Sequence, residues 1–248
     1  MQIVGIYNIK GGVGKTAAAV NLAYLASREM PTLLCDLDPQ GAASFYLQVE
    51  ADSKLSKKRL LKGANKVNSS IRQTGCKGLD ILPAAMSFRN LDLLLDGKKR
   101  SKKRLREILE PFGAVYDCII IDSPPNITLL SENILNAADR VLVPVIPTSL
   151  SIMTLEKLSA FFGKKGLDRE KLLPFFSMVE KRKKLHRETM NNPAQPLPFL
   201  TTPIPYCAEV EKMGIYRQPL PHKHPKSRLA ANYRALWKAL KSRLEFTD

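Results

Sequence analysis

Residues 10–16 read Lys-Gly-Gly-Val-Gly-Lys-Thr and stand between two segments of opposite character. Residues 2–7 before them are an apolar run, and residues 16–27 after them are alanine-rich, without glycine or proline. A strand, a glycine-rich turn and a helix start, in that order, are the context a phosphate-binding loop requires. Glycines let main-chain N–H groups close around phosphate oxygens without Cβ clashes. The helix N-terminus adds roughly half a unit of positive charge facing the anion. In such a loop Lys15 reaches the β- and γ-phosphates and the Thr16 hydroxyl ligates Mg²⁺.

The rest of the chain repeats the strand–helix alternation. Apolar runs at 3–7, 32–36, 79–83, 118–122, 140–145, 173–179 and 202–204 read as strands. Continuous β-branched stretches such as Ile119-Ile120-Ile121 indicate strands covered on both faces. Helical patterns fill 16–27, 88–95, 101–110, 128–136, 151–162 and 228–244. The expectation is an α/β fold: a doubly wound, mostly parallel sheet flanked by helices, with right-handed crossovers. No Gly/Ser- or Pro-rich linker divides the 248 residues, so residues 1–248 are read as one domain. Residues 51–78 have little periodicity and many lysines, and read as a basic, partly mobile surface insertion.

Ligands of such sheets bind at the carboxyl ends of the strands, where two acidic segments fall. The second strand runs into Asp36-Leu37-Asp38-Pro39-Gln40-Gly41. Carboxylates spaced i, i+2 emerge on one side of an extended chain. A polar turn capping the next helix would also use these residue types. Residues 116–125, YDCIIIDSPP, end a buried strand in Asp122, placed to bind a Mg²⁺-bound water.

The general loop pattern G-x-x-x-x-G-K-[ST] would place its first glycine at Ile9, and Lys10 is extra. That variant resembles the deviant Walker A motif of the ParA/MinD family of P-loop ATPases. The resemblance extends over Asp36–Gly41, Asp122–Pro125 and nearly the whole chain, and is weak over 51–78. It implies a Mg²⁺-dependent ATPase whose nucleotide contacts are Lys10, Gly11, Gly12, Val13, Gly14, Lys15, Thr16, Ala17 and Pro205. By the same resemblance Lys10, Lys15 and Asp38 are catalytic. Lys10 reaches the partner's phosphates in an ATP-dependent homodimer, and Asp38 positions or polarises water. Thr16, Asp36 and Asp122 attend the metal. The family often follows the purine-contacting Ile-Pro turn with Arg-Asn; here Tyr206-Cys207 follow Pro205.

The formal net charge is +16, which implies a polyanionic partner: nucleic acid or an anionic membrane surface. Basic residues cluster at 54–66, 98–106, 181–187 and 222–243. The last stretch resembles the family's final helix, read here as 226–245, and Lys226 and Arg228 at its start are the expected contacts to non-specific DNA. Tyr233, Leu236, Trp237, Leu240 and Leu244 form a helical stripe that either packs on the sheet or lies on a membrane. Spread of charge over several segments favours DNA, with no membrane partner. The resemblance thus implies a cytoplasmic, nucleoid-associated switch. It binds DNA as the ATP dimer, hydrolyses ATP under stimulation by an adaptor protein, and so positions or segregates a cargo. The alternative is a MinD-like cycle on a membrane surface. Cys35, Cys76, Cys118 and Cys207 lack C-x-x-C spacing, which suits a reducing compartment and offers no cluster site of the nitrogenase iron-protein kind. A small-molecule ligase using the same loop stays open. The chain enters its first strand at once, so no signal peptide is expected.

Overall fold

A computed structural model describes residues 1–52, 54–95, 101–192 and 196–246. Its sheet has seven strands: β1 (Gln2–Ile6), β2 (Thr32–Asp36), β3 (Arg72–Gln73), β4 (Leu79–Leu82), β5 (Cys118–Asp122), β6 (Arg140–Val145) and β7 (Leu172–Phe176). Their spatial order is β3-β4-β2-β5-β1-β6-β7. Every pairing is parallel except β3 with β4. The chain passes from β1 to β2 over the position of β5, and later from β5 to β6 over β1. Both excursions open the crevice in which such sheets hold ligands. Register makes the crevice even: Ile6 and Asp36 both pair with Asp122, so three central strands end level.

Helix Lys15–Ser27 connects β1 to β2 and is buried except at Thr16 and Tyr24. It is apolar all round because it lies between the sheet and the last helix, Arg228–Lys241, and its alanines let both approach closely. Ser227 caps that last helix by accepting from the Ala230 N–H at 3.1 Å. Its stripe of Tyr233, Leu236, Trp237 and Leu240, with Leu244 beyond, is buried in the core. The Trp237 indole N–H donates to Glu29 at 2.9 Å, and Lys241 pairs with the same carboxylate. The membrane-surface alternative therefore lacks the apolar face it needs, and no described helix is long and apolar enough to cross a membrane.

The seventh strand expected at 202–204 does not form. Its main chain joins the sheet edge only in patches: the Leu200 N–H bonds to Pro174 O and the Ile204 N–H to Phe176 O, both at 2.8 Å. Pro198, Pro203 and Pro205 offer no N–H, so a continuous ladder is impossible. The edge strand found instead, β3, is two residues long and carries no periodicity to read. Residues 51–78 also differ from the loose insertion expected. Where described, they hold helices Lys57–Leu61 and Ala64–Asn68, whose Leu60, Leu61 and Val67 join the core with Leu55. Lys54, Lys58, Lys62 and Lys66 stay on the surface.

Candidate nucleotide site

The loop between β1 and helix Lys15–Ser27 takes its shape from two left-handed glycines, Gly12 at φ 68° and Gly14 at φ 90°. A Cβ at Gly14 would also stand 3.1 Å from Ser177 Oγ. Gly14 occupies the N-cap position, and no side chain caps the helix. Its first N–H groups therefore have no side-chain partner and keep their capacity for an anion. Val13 is buried and anchors the loop from below, while Gly11 and Gly12 are exposed.

Lys15 is buried, with Nζ donating to the Lys10 carbonyl at 3.1 Å. Burial pulls its pKa down, and Asp122 and Asp38 oppose that shift. The Lys10 main-chain N–H donates to Asn8 Oδ1 at 2.9 Å, and its ammonium lies 3.5 Å from Ser151 Oγ, at the start of helix Ser149–Lys165.

Asp36 and Asp122 end adjacent strands, whose spacing is about 4.8 Å. Both are fully buried. The Ser44 N–H and hydroxyl donate to Asp36 Oδ2 at 2.8 and 2.7 Å. Asp36 Oδ1 and both oxygens of Asp122 have no hydrogen-bond partner among the described residues. Burial is the main cause that pushes the Asp36 carboxyl up to about 6, with Ser44 opposing and Asp38 adding. Asp122 is also raised, by burial first and then by Asp36, with Thr16, outside hydrogen-bond geometry, and Lys15 opposing. Three orphaned carboxylate oxygens beside the Thr16 hydroxyl and a phosphate loop suit a hydrated Mg²⁺, which takes one or two carboxylates plus phosphate oxygens. No group of three or more His, Cys, Asp and Glu with metal-binding geometry occurs among the described residues, so the phosphates must complete any such site.

These carboxylates favour the proton over the charge, so they destabilise the empty fold near neutral pH. The native state binds more protons than the unfolded chain between the ordinary carboxylate range and about 6, so stability falls as pH rises through that window. Asp122→Asn is expected to raise the Tm of the ligand-free protein at pH 7.5 by about 2–4 °C and to remove the Tm gain from Mg²⁺ beyond that from nucleotide alone. A calorimetric scan with unchanged or lower Tm would show that the Asp122 charge is compensated.

Gly11, Gly12, Gly14, Lys15, Thr16, Ala17, Asp38 and Pro205 line one cavity of about 410 Å³. Lys10, Val13, Asp36 and Asp122 do not line it. Asp38 Oδ1 accepts the Gln40 N–H at 2.9 Å and its carbonyl accepts the Gly41 N–H, so the turn fixes the carboxylate toward the cavity. The lining also includes residues the sequence did not announce as site residues: Tyr46, Ser177, Met178, Val210, Glu211 and Tyr233. Position at the carboxyl end of β7 was the available signal for Ser177 and Met178. Lys226 and Arg228 lie apart from this cavity and are exposed. Arg228 lines a second groove of about 510 Å³ with Lys181 and Arg182, and Pro205, Tyr206 and Cys207 wall both spaces.

A doubly wound sheet that delivers three level strand ends to one glycine loop is the architecture of phosphate-loop nucleotide-binding proteins. The AAA domain family profile matches residues 1–171. The chain is 40% identical over 146 residues to the chromosome partitioning protein ParA of Myxococcus xanthus, covering 58% of this chain and 52% of that protein. It is 35% identical over 191 residues to the chromosome-partitioning ATPase Soj of Treponema pallidum, 74% of each chain. The chain thus belongs to the ParA/MinD family of P-loop ATPases. A crystal structure of a Borrelia burgdorferi B31 plasmid partition protein bound to AMPPNP superposes with a TM-score of 0.84 at 21% identity, covering 98% of this chain and 99% of that one. The match spans about half the length of the Myxococcus relative.

Proposed function

We propose that this protein is an ATP-driven dimerising switch: it holds non-specific DNA in the ATP state and releases it on hydrolysis, so positioning or segregating a DNA or protein cargo. The observation that carries this reading is the wall at Pro205, Tyr206 and Cys207, which separates the nucleotide cavity from the groove of Lys181, Arg182 and Arg228. In this reading a change in nucleotide on one side would bear on the cations presented to phosphates on the other. Lysine and arginine at such a surface gain affinity by releasing counterions, without reading bases. The names of the partitioning relatives support the cargo half of the proposal.

Dimer formation has its own support. Ile127, Leu150 and Met153 are exposed large apolar residues; Ile127 lies two positions from Pro125, which stands against Gly11, and Leu150 and Met153 flank Ser151, 3.5 Å from the Lys10 ammonium. A second copy facing this rim would cover them and bring its Lys10 to the other's phosphates. Mg²⁺ held through Thr16, Asp36 and Asp122 would neutralise charge on the transferring phosphoryl group. In this reading Lys15 holds the β- and γ-phosphates, the uncapped helix N-terminus supplies N–H groups, and Asp38 orients the attacking water. An adaptor protein sets the hydrolysis rate, and the switch works on the nucleoid in the cytoplasm.

The test is a gel shift on random-sequence DNA with ATP, ADP or no nucleotide at two salt concentrations. Binding should require ATP and weaken steeply with salt. Lys226→Ala with Arg228→Ala should reduce the slope of log affinity on log salt by about 2. DNA binding that ignored nucleotide would remove the switch; none in any state, with capture by anionic liposomes, would move the partner to a membrane.

A further inference from the structure

Among the described residues, three other than glycine adopt left-handed backbone: Gln48 at φ 58°, Met178 at φ 54° and Arg217 at φ 50°. Met178 lines the nucleotide cavity. Arg217 directly follows helix Met213–Tyr216, and Gln48 lies one residue past Leu47, which ends helix Ala42–Tyr46; glycine is the usual residue where a helix end turns left-handed. A side chain there strains the backbone, and it persists where the surroundings hold it.

The surroundings here are each other. The Gln48 side-chain amide donates to the Arg217 carbonyl at 2.9 Å. The Arg217 Nε donates to the Phe45 carbonyl at 3.0 Å, and its guanidinium lies 4.4 Å from the Phe45 ring centroid. Each strained residue thus grips the other's segment, across 169 residues of sequence. The gripped helix is functional on its far side. Ser44 supplies both hydrogen bonds to Asp36, Tyr46 lines the cavity, and Gly41, the N-cap, bonds back to Asp38.

We propose that Gln48 and Arg217 are positioning residues for hydrolysis: together they lock the helix that follows Asp38 and thereby hold Asp36 and Asp38 in register with the phosphate loop. Neither lines the nucleotide cavity, so neither touches nucleotide directly, and their effect on turnover runs through the positions of Asp36 and Asp38. The glycine that backbone geometry would favour at either position would lose the grip. The proposal rests on the ATPase reading.

Glycine variants separate function from folding, because they relieve strain while deleting the clamp. Gln48→Gly, Arg217→Gly and the double variant would be compared with wild type in steady-state ATP hydrolysis, fluorescent-nucleotide binding and thermal unfolding. Expected are a Tm no lower than wild type, nucleotide affinity within about twofold, and kcat lower by about tenfold or more in each single variant. The double variant should lose no more than the worse single one, since either change opens the same clamp. Arg217→Lys, which keeps the charge but not the fork or the stacking, should fail to restore kcat. Unchanged kcat in the single variants, or losses that multiply in the double, would overturn the clamp. A wild type that binds nucleotide without hydrolysing it would instead sink the ATPase reading.

Discussion

Lys15→Ala should weaken nucleotide binding by about 10²-fold or more and abolish any ATP-dependent dimer. The lysine is buried at the mouth of an uncapped helix, and its ammonium is spent on one main-chain carbonyl, Lys10 O. That bond is easily exchanged for phosphate oxygens. Charge-assisted hydrogen bonds contribute about 1.5–3 kcal/mol each, and tenfold in affinity is about 1.4 kcal/mol, so losing two or three gives the stated fall. A second consequence follows from the neighbours. Lys15 opposes the upward shift of Asp122, so without it that carboxyl rises further and the metal site is harder to ionise. Titration with a fluorescent ATP analogue, with and without Mg²⁺, measures both. A variant that bound ATP and dimerised like wild type would mean that the loop main chain alone holds the phosphates.

Asp38→Ala should do the reverse: bind ATP with nearly wild-type affinity and hydrolyse it about 10²–10⁴-fold more slowly. Unlike Asp36 and Asp122, Asp38 lines the cavity, and among the described residues its carboxylate accepts one hydrogen bond, from the Gln40 N–H of its own turn. It can therefore face water without first leaving another bond. Removing it also relieves repulsion on Asp36 and Asp122, so Mg²⁺-free stability should not fall. The variant should accumulate as an ATP-loaded species that stays on DNA in the gel shift. Turnover within twofold of wild type would take Asp38 out of the hydrolytic step.

What the sequence disclosed divides along a physical line. Strands β1, β2, β5 and β6 were legible because each is a continuous apolar run, and a run buried on both faces has few alternatives. The loop residues and the strand-end acids were legible because their chemistry is local: glycines for φ, lysine for phosphate, aspartate at a strand end. The rest of the cavity lining was not. Tyr46, Met178, Glu211 and Tyr233 come together from four distant segments, and none carries a spacing that foretells it. The false strand at 202–204 shows an apolar, β-branched stretch overridden by prolines that break the ladder. Leu60, Leu61 and Val67 were hidden because two five-residue helices are too short to display a period. The clamp of Gln48 and Arg217 was hidden for another reason: left-handed backbone at a residue other than glycine leaves no mark in the sequence.

The wall of Pro205, Tyr206 and Cys207 has a thermodynamic consequence. If ATP and DNA bind on its two sides as proposed, and are coupled, linkage is reciprocal: the factor by which ATP tightens the hold on DNA is the factor by which DNA tightens the hold on ATP. A molecule on the polymer would therefore lose its unhydrolysed nucleotide more rarely than one in solution. In the proposed cycle, residence on DNA and memory of ATP would be a single quantity, and hydrolysis the exit from both at once.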